Sequence, residues 1–281
     1  MIVFLNGNFV DESQAMVSVF DRGLLYGDGL FEGFRVFNGK LFRWEDHLKR
    51  FHRGINVLQI SPPFPDEAIR AFAEELVARN QMPDALLRLV LTRGAGVRGY
   101  SPKGANKPTL AMTLHPAPRF ERGKPEGWKL IISSYTVPAN NPLAKFKNCN
   151  KLPQIMARGE ADAAGAEEAL VLNSSGNIAE GTTSNFFWVR DGGIQTPPLP
   201  AGILPGVTRS AVIELCRRQR MEIDEIDASP EDTRNFDGAF LSLTSFGIVE
   251  VLSIDGQSMK RWPLLGKLHG DYCDLLTAEC A

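Results

Sequence analysis

Cysteine is scarce in this chain of 281 residues: Cys149, Cys216, Cys273 and Cys280 stand far apart, and none forms a CxxC pair. That spacing excludes a zinc ribbon and a disulfide framework and fits a reducing cytoplasm, the compartment expected here. His47, His52, His115 and His269 show no ligand spacing and are read as structural, so no metal is expected. No apolar run approaches the roughly eighteen residues that a membrane helix needs. The opening MIVFLNGNFVDESQAM lacks the basic n-region and small-residue cleavage site of an export signal. Neither sign of charge dominates: 31 Lys and Arg stand against 33 Asp and Glu, so no basic field would recruit nucleic acid or an anionic membrane. Internal repeats and low-complexity tracts are also missing. Small molecules are therefore the expected partners of a soluble, unexported protein.

What is present is α/β (α+β) patterning over a length that suits two domains with a core large enough to desolvate a site. Asn6-Gly7 and Asn38-Gly39 each sit between short apolar strands, and Asp255-Gly256 marks a third hairpin. Leu48, Phe51, Ile55 and Leu58 recur at helical spacing after Asp46, and Asp66 is expected to cap a second helix bearing Ile69, Phe72, Leu76 and Val77. The stretches ALLRLVLTRG and KPTLAMTLHP read as strands around the loop GAGVRGYSPKGAN. Pro and Gly then crowd into PAPRFERGKPEG, which has no apolar period and is taken as the linker at 118–127. Two α/β or α+β domains, at 1–117 and 128–281, result. In the second, WKLIISSYTV, EEALVLNSSGNIAEGTTSNFFWV and FDGAFLSLTS read as strands, with helices over 151–164 and from Gly206-Val207-Thr208.

One segment raises a chemical question. AKFKNCNKLPQIM carries Lys145, Lys147 and Lys151 within seven positions. Composition alone makes them solvated surface charges.

The order of motifs says more. DRGLLYGDGLFEGFRV, DHLKRF, RGAGVRGYS, FKNCN, IAEGTTSN, GILPGVTR and LSLTS, taken together over nearly the whole chain, resemble the fold-type-IV pyridoxal-phosphate enzymes. That family includes the branched-chain and D-amino-acid aminotransferases and aminodeoxychorismate lyase. The resemblance implies a cofactor, pyridoxal 5′-phosphate, held between a small N-terminal α/β domain and a larger, β-barrel-like C-terminal α/β domain, and a homodimer whose partner loop contributes to the substrate pocket. It implies that Lys147 supplies the cofactor-binding amine and the proton shuttle, three residues before an Asn that opens the next helix. Glu180 would face the pyridine nitrogen. Arg50 would bind the phosphate with its planar fork, helped by the helix start Gly206-Val207-Thr208 and by Thr244 and Ser245.

For substrate binding the resemblance points to Arg98 and Tyr100 on the RGAGVRGYS loop. Arg35 and Arg88, alternating within apolar strands, are further candidates for a carboxylate. Phe31 stands where some members have Tyr, which removes a hydroxyl-dependent contact. Gly33 stands where the lyases typically have Thr, so an aminotransferase acting on a branched-chain-like or D-amino acid and a 2-oxo acid is the expected function. A lyase releasing pyruvate and 4-aminobenzoate, and a non-catalytic relative that only binds the cofactor, are the alternatives.

Overall fold

Tight hairpins organise the first sheet of the computed structural model, which describes residues 1–119 and 121–281; Phe120, inside the expected linker, lies outside the described residues. Asn6 and Gly7 have φ 50° and 91°, and Asn38 and Gly39 have φ 50° and 76°. Two consecutive left-handed residues match the right-handed twist of flanking strands, which is why Asn-Gly closes both turns. In chain order the elements are β1 (Ile2–Leu5), β2 (Asn8–Asp11), α1 (Arg22–Tyr26), β3 (Gly29–Phe37), β4 (Lys40–Leu41), α2 (Trp44–Leu58), α3 (Asp66–Asn80), β5 (Ala85–Thr92) and β6 (Thr109–Pro116). The strands form one antiparallel sheet ordered β2-β1-β6-β5-β3-β4.

Period-two alternation sorts this sheet into two faces. Leu30, Phe34 and Val36 of β3 share one core with Leu87, Leu89 and Leu91 of β5, Leu110, Met112 and Leu114 of β6, and Phe51, Ile55, Ile69 and Leu76 of the helices. The other face carries Phe31, Gly33 and Arg35, registered against Val90, Arg88 and Leu86. Asp66 is the first residue of α3 and not its cap, which is Pro65. Its carboxylate instead lies 2.8 Å from His52 Nε2.

The chain divides into two compact units: Met1–Ala117 with Phe146–Asn150 and Leu276–Ala281, and Pro118–Lys145 with Lys151–Leu275. Residues 146–150 and 276–281, expected in the second domain, thus pack with the first. The reason is local. Phe146 is fully buried in the first core, Phe31 N–H donates to the Lys147 carbonyl at 2.8 Å, and Cys149 N–H donates to the Gly29 carbonyl at 3.0 Å. Near the C-terminus, Arg43 pairs with Glu279 at 2.7 Å. In the expected linker Glu121 and Lys124 form an ion pair at 2.7 Å.

The second unit contains β7 (Glu126–Val137), α4 (Leu152–Ala163), β8 (Glu168–Asn173), β9 (Ile178–Gly181), β10 (Asn185–Arg190), β11 (Gly193–Thr196), α5 (Val207–Arg218), β12 (Ile223–Glu225), β13 (Gly238–Leu243), β14 (Gly247–Ile254), β15 (Gln257–Ser258) and most of α6 (Leu265–Glu279). Nine strands make a curled mixed sheet, β12-β11-β10-β13-β14-β7-β8-β9 with β15 on β14, and β7 runs parallel to both neighbours. Every residue of β13 is buried, as expected of a strand covered on both faces. Leu130, Phe186, Trp188, Leu241 and Val249 form one core; Ala157 and Ala161 of α4 join Ala169, Val171 and Ala179 in another. Among the described residues, no helix is long and apolar enough to cross a membrane.

Gly54 on α2 shows how closely the 146–150 segment is seated: a Cβ there would lie 2.7 Å from the Phe146 ring and 3.0 Å from Leu30. Gly→Ala inside an open helix stabilises by about 1 kcal/mol, but overpacking costs about 1–3 kcal/mol. Gly54→Ala is therefore expected to lower stability, measured by denaturant unfolding; a gain would show that Phe146 is not tightly held.

Candidate functional site

The site residues of the first unit start from β3. The two backbone hydrogen bonds described above and a bridge between Leu30 and Asn148 lay residues 147–149 antiparallel along its edge. Alternation then sends Phe146 and Asn148 into the core and turns Lys147 to the face of Phe31. Lys147 Nζ lies 5.4 Å from the centre of the Phe31 ring, and the Arg88 guanidinium lies over the same ring at 4.2 Å. The three lysines are thus unlike: Lys145 is exposed, Lys147 is half-buried, and Lys151 is the N-terminal flank of α4. Asn150 does not open that helix as expected. It ties back to Gly27, donating from Nδ2 to its carbonyl at 3.1 Å.

Arg35 and Arg88 lie on β3 and β5, neighbours in the order of the first sheet. Arg35 is buried and 3.6 Å from Asp84. Arg88 is exposed beside Gly33, above which a Cβ would meet nothing within 4 Å. Arg98 and Tyr100 are exposed on the loop between β5 and β6, where the Tyr100 ring packs edge-on against Tyr26 at 5.5 Å.

Arg50 belongs to a buried charge cluster that the sequence reading missed. Its Nε donates to Glu32 Oε1 at 2.8 Å and its Nη2 to Glu32 Oε2 at 2.7 Å. His47 Nδ1 lies 2.8 Å from the same carboxylate. The signal was available: alternation puts Glu32 on the core face between Leu30 and Phe34, where a carboxylate needs a cation. Burial raises the Glu32 pKa, but the Arg50 charge and the hydrogen bonds from Arg50 and His47 outweigh it and hold it at about 2. Burial lowers the His47 pKa, helped by the charges of Arg50 and Lys147 against the pull of Glu32. Neutral His47 therefore donates from Nδ1 to ionised Glu32.

In the second unit Glu180 is the penultimate residue of β9, and its Oε2 accepts from Leu204 N–H at 2.9 Å and from Asn185 Nδ2 at 3.2 Å. Asn185 Nδ2 also donates to the Leu204 carbonyl at 2.9 Å. Gly206 follows, and a Cβ there would sit 2.0 Å from Asn185 Oδ1, so only glycine lets the chain enter α5 at this point. α5 starts at Val207 with no side-chain cap on Gly206, leaving its first N–H groups and dipole for an anion beside buried Thr208. Thr244 and Ser245 lie in the turn between β13 and β14, one step beyond the strand expected for LSLTS.

A second missed carboxylate organises the EGTTSN turn. Glu168, fully buried on β8, accepts from the N–H and hydroxyl groups of Thr182 and Thr183 and from Ser184 Oγ at 3.2 Å. A Cβ on Gly181 would lie 2.2 Å from Ser184 Oγ and 3.1 Å from Glu168 Oε2, so a side chain there would displace the serine from the carboxylate.

The Glu32 cluster has a defined acid response. Both folded pKa values lie below their unfolded ones, so its stabilisation is complete above the His value of 6.5 and falls as pH drops through the carboxylate value of 4.5 toward about 2. The melting temperature is expected to fall across that window. Glu32→Gln, which strands a buried guanidinium, should cost about 3–5 kcal/mol and flatten the acid limb below about pH 4.5; an unchanged limb would exclude Glu32 as its source.

Comparisons with known proteins identify the family of the chain. The profile of the family "Amino-transferase class IV" matches residues 29–254. A "Putative branched-chain-amino-acid aminotransferase" of Methanocaldococcus jannaschii is 37% identical over 257 residues, 92% of this chain and 89% of its own. A D-alanine aminotransferase of Bacillus licheniformis is 30% identical, covering 92% of this chain and 90% of its own. The branched-chain amino acid aminotransferase of T.th., solved with pyridoxamine 5′-phosphate, superposes with a TM-score of 0.92 at 30% identity, over 99% of this chain and 94% of that one. A "Putative 4-amino-4-deoxychorismate lyase" from Legionella pneumophila superposes at 0.85 with 26% identity, over 96% and 97% of the two chains. This chain belongs to the class IV aminotransferases.

Proposed function

We propose that this aminotransferase works with pyridoxal 5′-phosphate and that its substrates are branched aliphatic amino acids and 2-oxo acids. When bound, the cofactor supplies an electron sink that makes the substrate Cα–H acidic. The observation that carries the reading is Lys147: its backbone is hydrogen-bonded to β3, and its amine stands beside Phe31. Such an amine is suited to attach the cofactor and, once released, to take the Cα proton and return it.

The remaining residues fit the group. Glu180, oriented by Leu204 and Asn185, is suited to hold the pyridine N–H. The uncapped start of α5 at Gly206, Val207 and Thr208, with Thr244 and Ser245, offers N–H and hydroxyl donors to a phosphate, and Arg50, oriented by Glu32, adds charge. Arg98, Tyr100, Arg35 and Arg88 are the candidates for substrate carboxylates. The open space over Gly33, flanked on the sheet face by Phe31, Leu86 and Val90, suits a branched apolar side chain. Gly33 also offers no hydroxyl to assist elimination, which favours amino transfer over the lyase reaction.

Exposed Met16, Val19, Phe20, Leu24 and Val97, between 65% and 80% accessible, support a homodimer through this apolar surface of the first unit. Four free thiols support residence in a reducing cytoplasm.

Reconstituted protein is expected to show the visible band of bound pyridoxal phosphate, and Lys147→Ala to lose it together with nearly all transamination. Survival of band and activity in Lys147→Ala would remove the central assignment. L-leucine, L-valine and D-alanine as donors, with pyruvate release from aminodeoxychorismate assayed alongside, separate the substrate classes and the lyase. Sedimentation should give a dimer; a monomer would leave the apolar surface without its proposed cover.

A further inference from the structure

The loop between β5 and β6 is the one on which the functional reading puts substrate recognition, through Arg98 and Tyr100. Its course is fixed by a buried side chain from far away in sequence. Arg22, at the start of α1 and only 3% exposed, donates from Nη1 to the carbonyls of Gly99 at 2.8 Å and Ser101 at 3.1 Å, and from Nη2 to that of Tyr100 at 2.9 Å. Three successive carbonyl oxygens converge on one guanidinium, immediately after Arg98. Carbonyl dipoles that converge repel one another, and a cation with several N–H groups in a fixed fork satisfies them together.

The cation is held in turn. Arg22 Nε donates to Asp28 Oδ2 at 2.8 Å, and Asp28 also accepts from Arg93, whose Nη2 reaches the Leu58 carbonyl at 2.7 Å. The base of the loop is pinned by the preceding residue: Asp21 Oδ2 accepts from Thr92 Oγ1 at 2.9 Å and Thr109 Oγ1 at 2.7 Å, the last residue of β5 and the first of β6. The loop also rests on the stem of Arg22, since a Cβ on Gly96 would lie 3.0 Å from Arg22 Cδ. Asp21 thus closes the base of the loop, and Arg22 shapes its tip.

We infer that Arg22 is a positioning residue for substrate binding: it selects the loop conformer that presents Arg98 and Tyr100, without itself touching the substrate. This rests on the proposal that the loop reads the substrate carboxylate. The role calls for a fork, so a lysine that keeps the charge opposite Asp28 cannot reproduce it, having three N–H groups on one nitrogen where the carboxylate and three carbonyls need four donors spread over a plane.

The test uses the holoenzyme with Arg22→Met and Arg22→Lys. Both variants are expected to raise KM for the amino donor, about tenfold or more in Arg22→Met and less in Arg22→Lys, with kcat within about threefold of wild type, the pattern of lost binding with intact chemistry. The visible band of bound cofactor should stay unchanged. Trypsin should cut after the exposed Arg98 or Lys103 faster than in wild type. If KM stays within about twofold in both variants, or if trypsin cuts the loop no faster, the inference is overturned. Should Arg22→Met fail to fold, Arg22→Lys decides by the same readouts. Wild-type protein that neither binds pyridoxal phosphate nor transaminates would sink the functional reading instead, while the trypsin comparison still judges the clamp.

Discussion

The site of the first unit depends on two backbone hydrogen bonds at the edge of β3, between Phe31 and Lys147 and between Cys149 and Gly29. A lysine side chain carries about 2 kcal/mol of rotamer entropy, so an amine that must act at one place needs its backbone fixed first. Strand pairing does this, and alternation does the sorting: Phe146 becomes a core plug while Lys147 faces the functional side. Phe31 meets that amine there and also carries Arg88 over its ring, because β3 and β5 are registered partners. Were the pairing to slip by one residue, Lys147 would point into apolar core and Phe146 would be exposed.

Buried carboxylates give each half-site its second layer. Glu32 orients Arg50 and keeps His47 in one tautomer, and Glu168 gathers the hydroxyls and amides of the turn beside Glu180. Both are enclosed and hydrogen-bonded on several sides. A buried ion pair adds little net stability over an apolar replacement, but removing one partner is costly. Such groups therefore define geometry more than they strengthen the fold. The same logic applies at Arg22, where the partners are carbonyls and the element defined is a loop.

Much of the fold was legible because its signals are local. Asn-Gly forces a hairpin wherever it falls between apolar strands, and the period of Leu48, Phe51 and Ile55 marks α2 without reference to anything distant. The glycine at 206 was legible as a helix start, though not for its reason, the close approach of Asn185. What stayed hidden depends on contacts across long separations. Nothing in FKNCN announces that it pairs with residues 29–31, so the segment was assigned to the wrong unit, and Asn150 was read as a helix opener when it binds Gly27. Lys147 emerged from the order of motifs and not from its charge, since Lys145 and Lys151 look alike in composition. Arg22 sits in DRGLLYG as an ordinary basic residue; only the folded loop reveals its three carbonyl partners.

The patchwork make-up of the first unit bears on how the chain folds. Met1–Ala117 holds the sheet and both covering helices, yet Phe146 and the 276–281 segment belong to the same body. A nascent chain can form the hairpins and α2 early, but the slot between Gly54 and Leu30 stays open until residue 146 has been made, and residues 276–281 come later still. Closing loops of that length slows folding more than it weakens the product. Lys147 therefore pairs with β3 only after residues 118–145, which belong to the second unit, have been made, so the order of synthesis separates this strand from its partner.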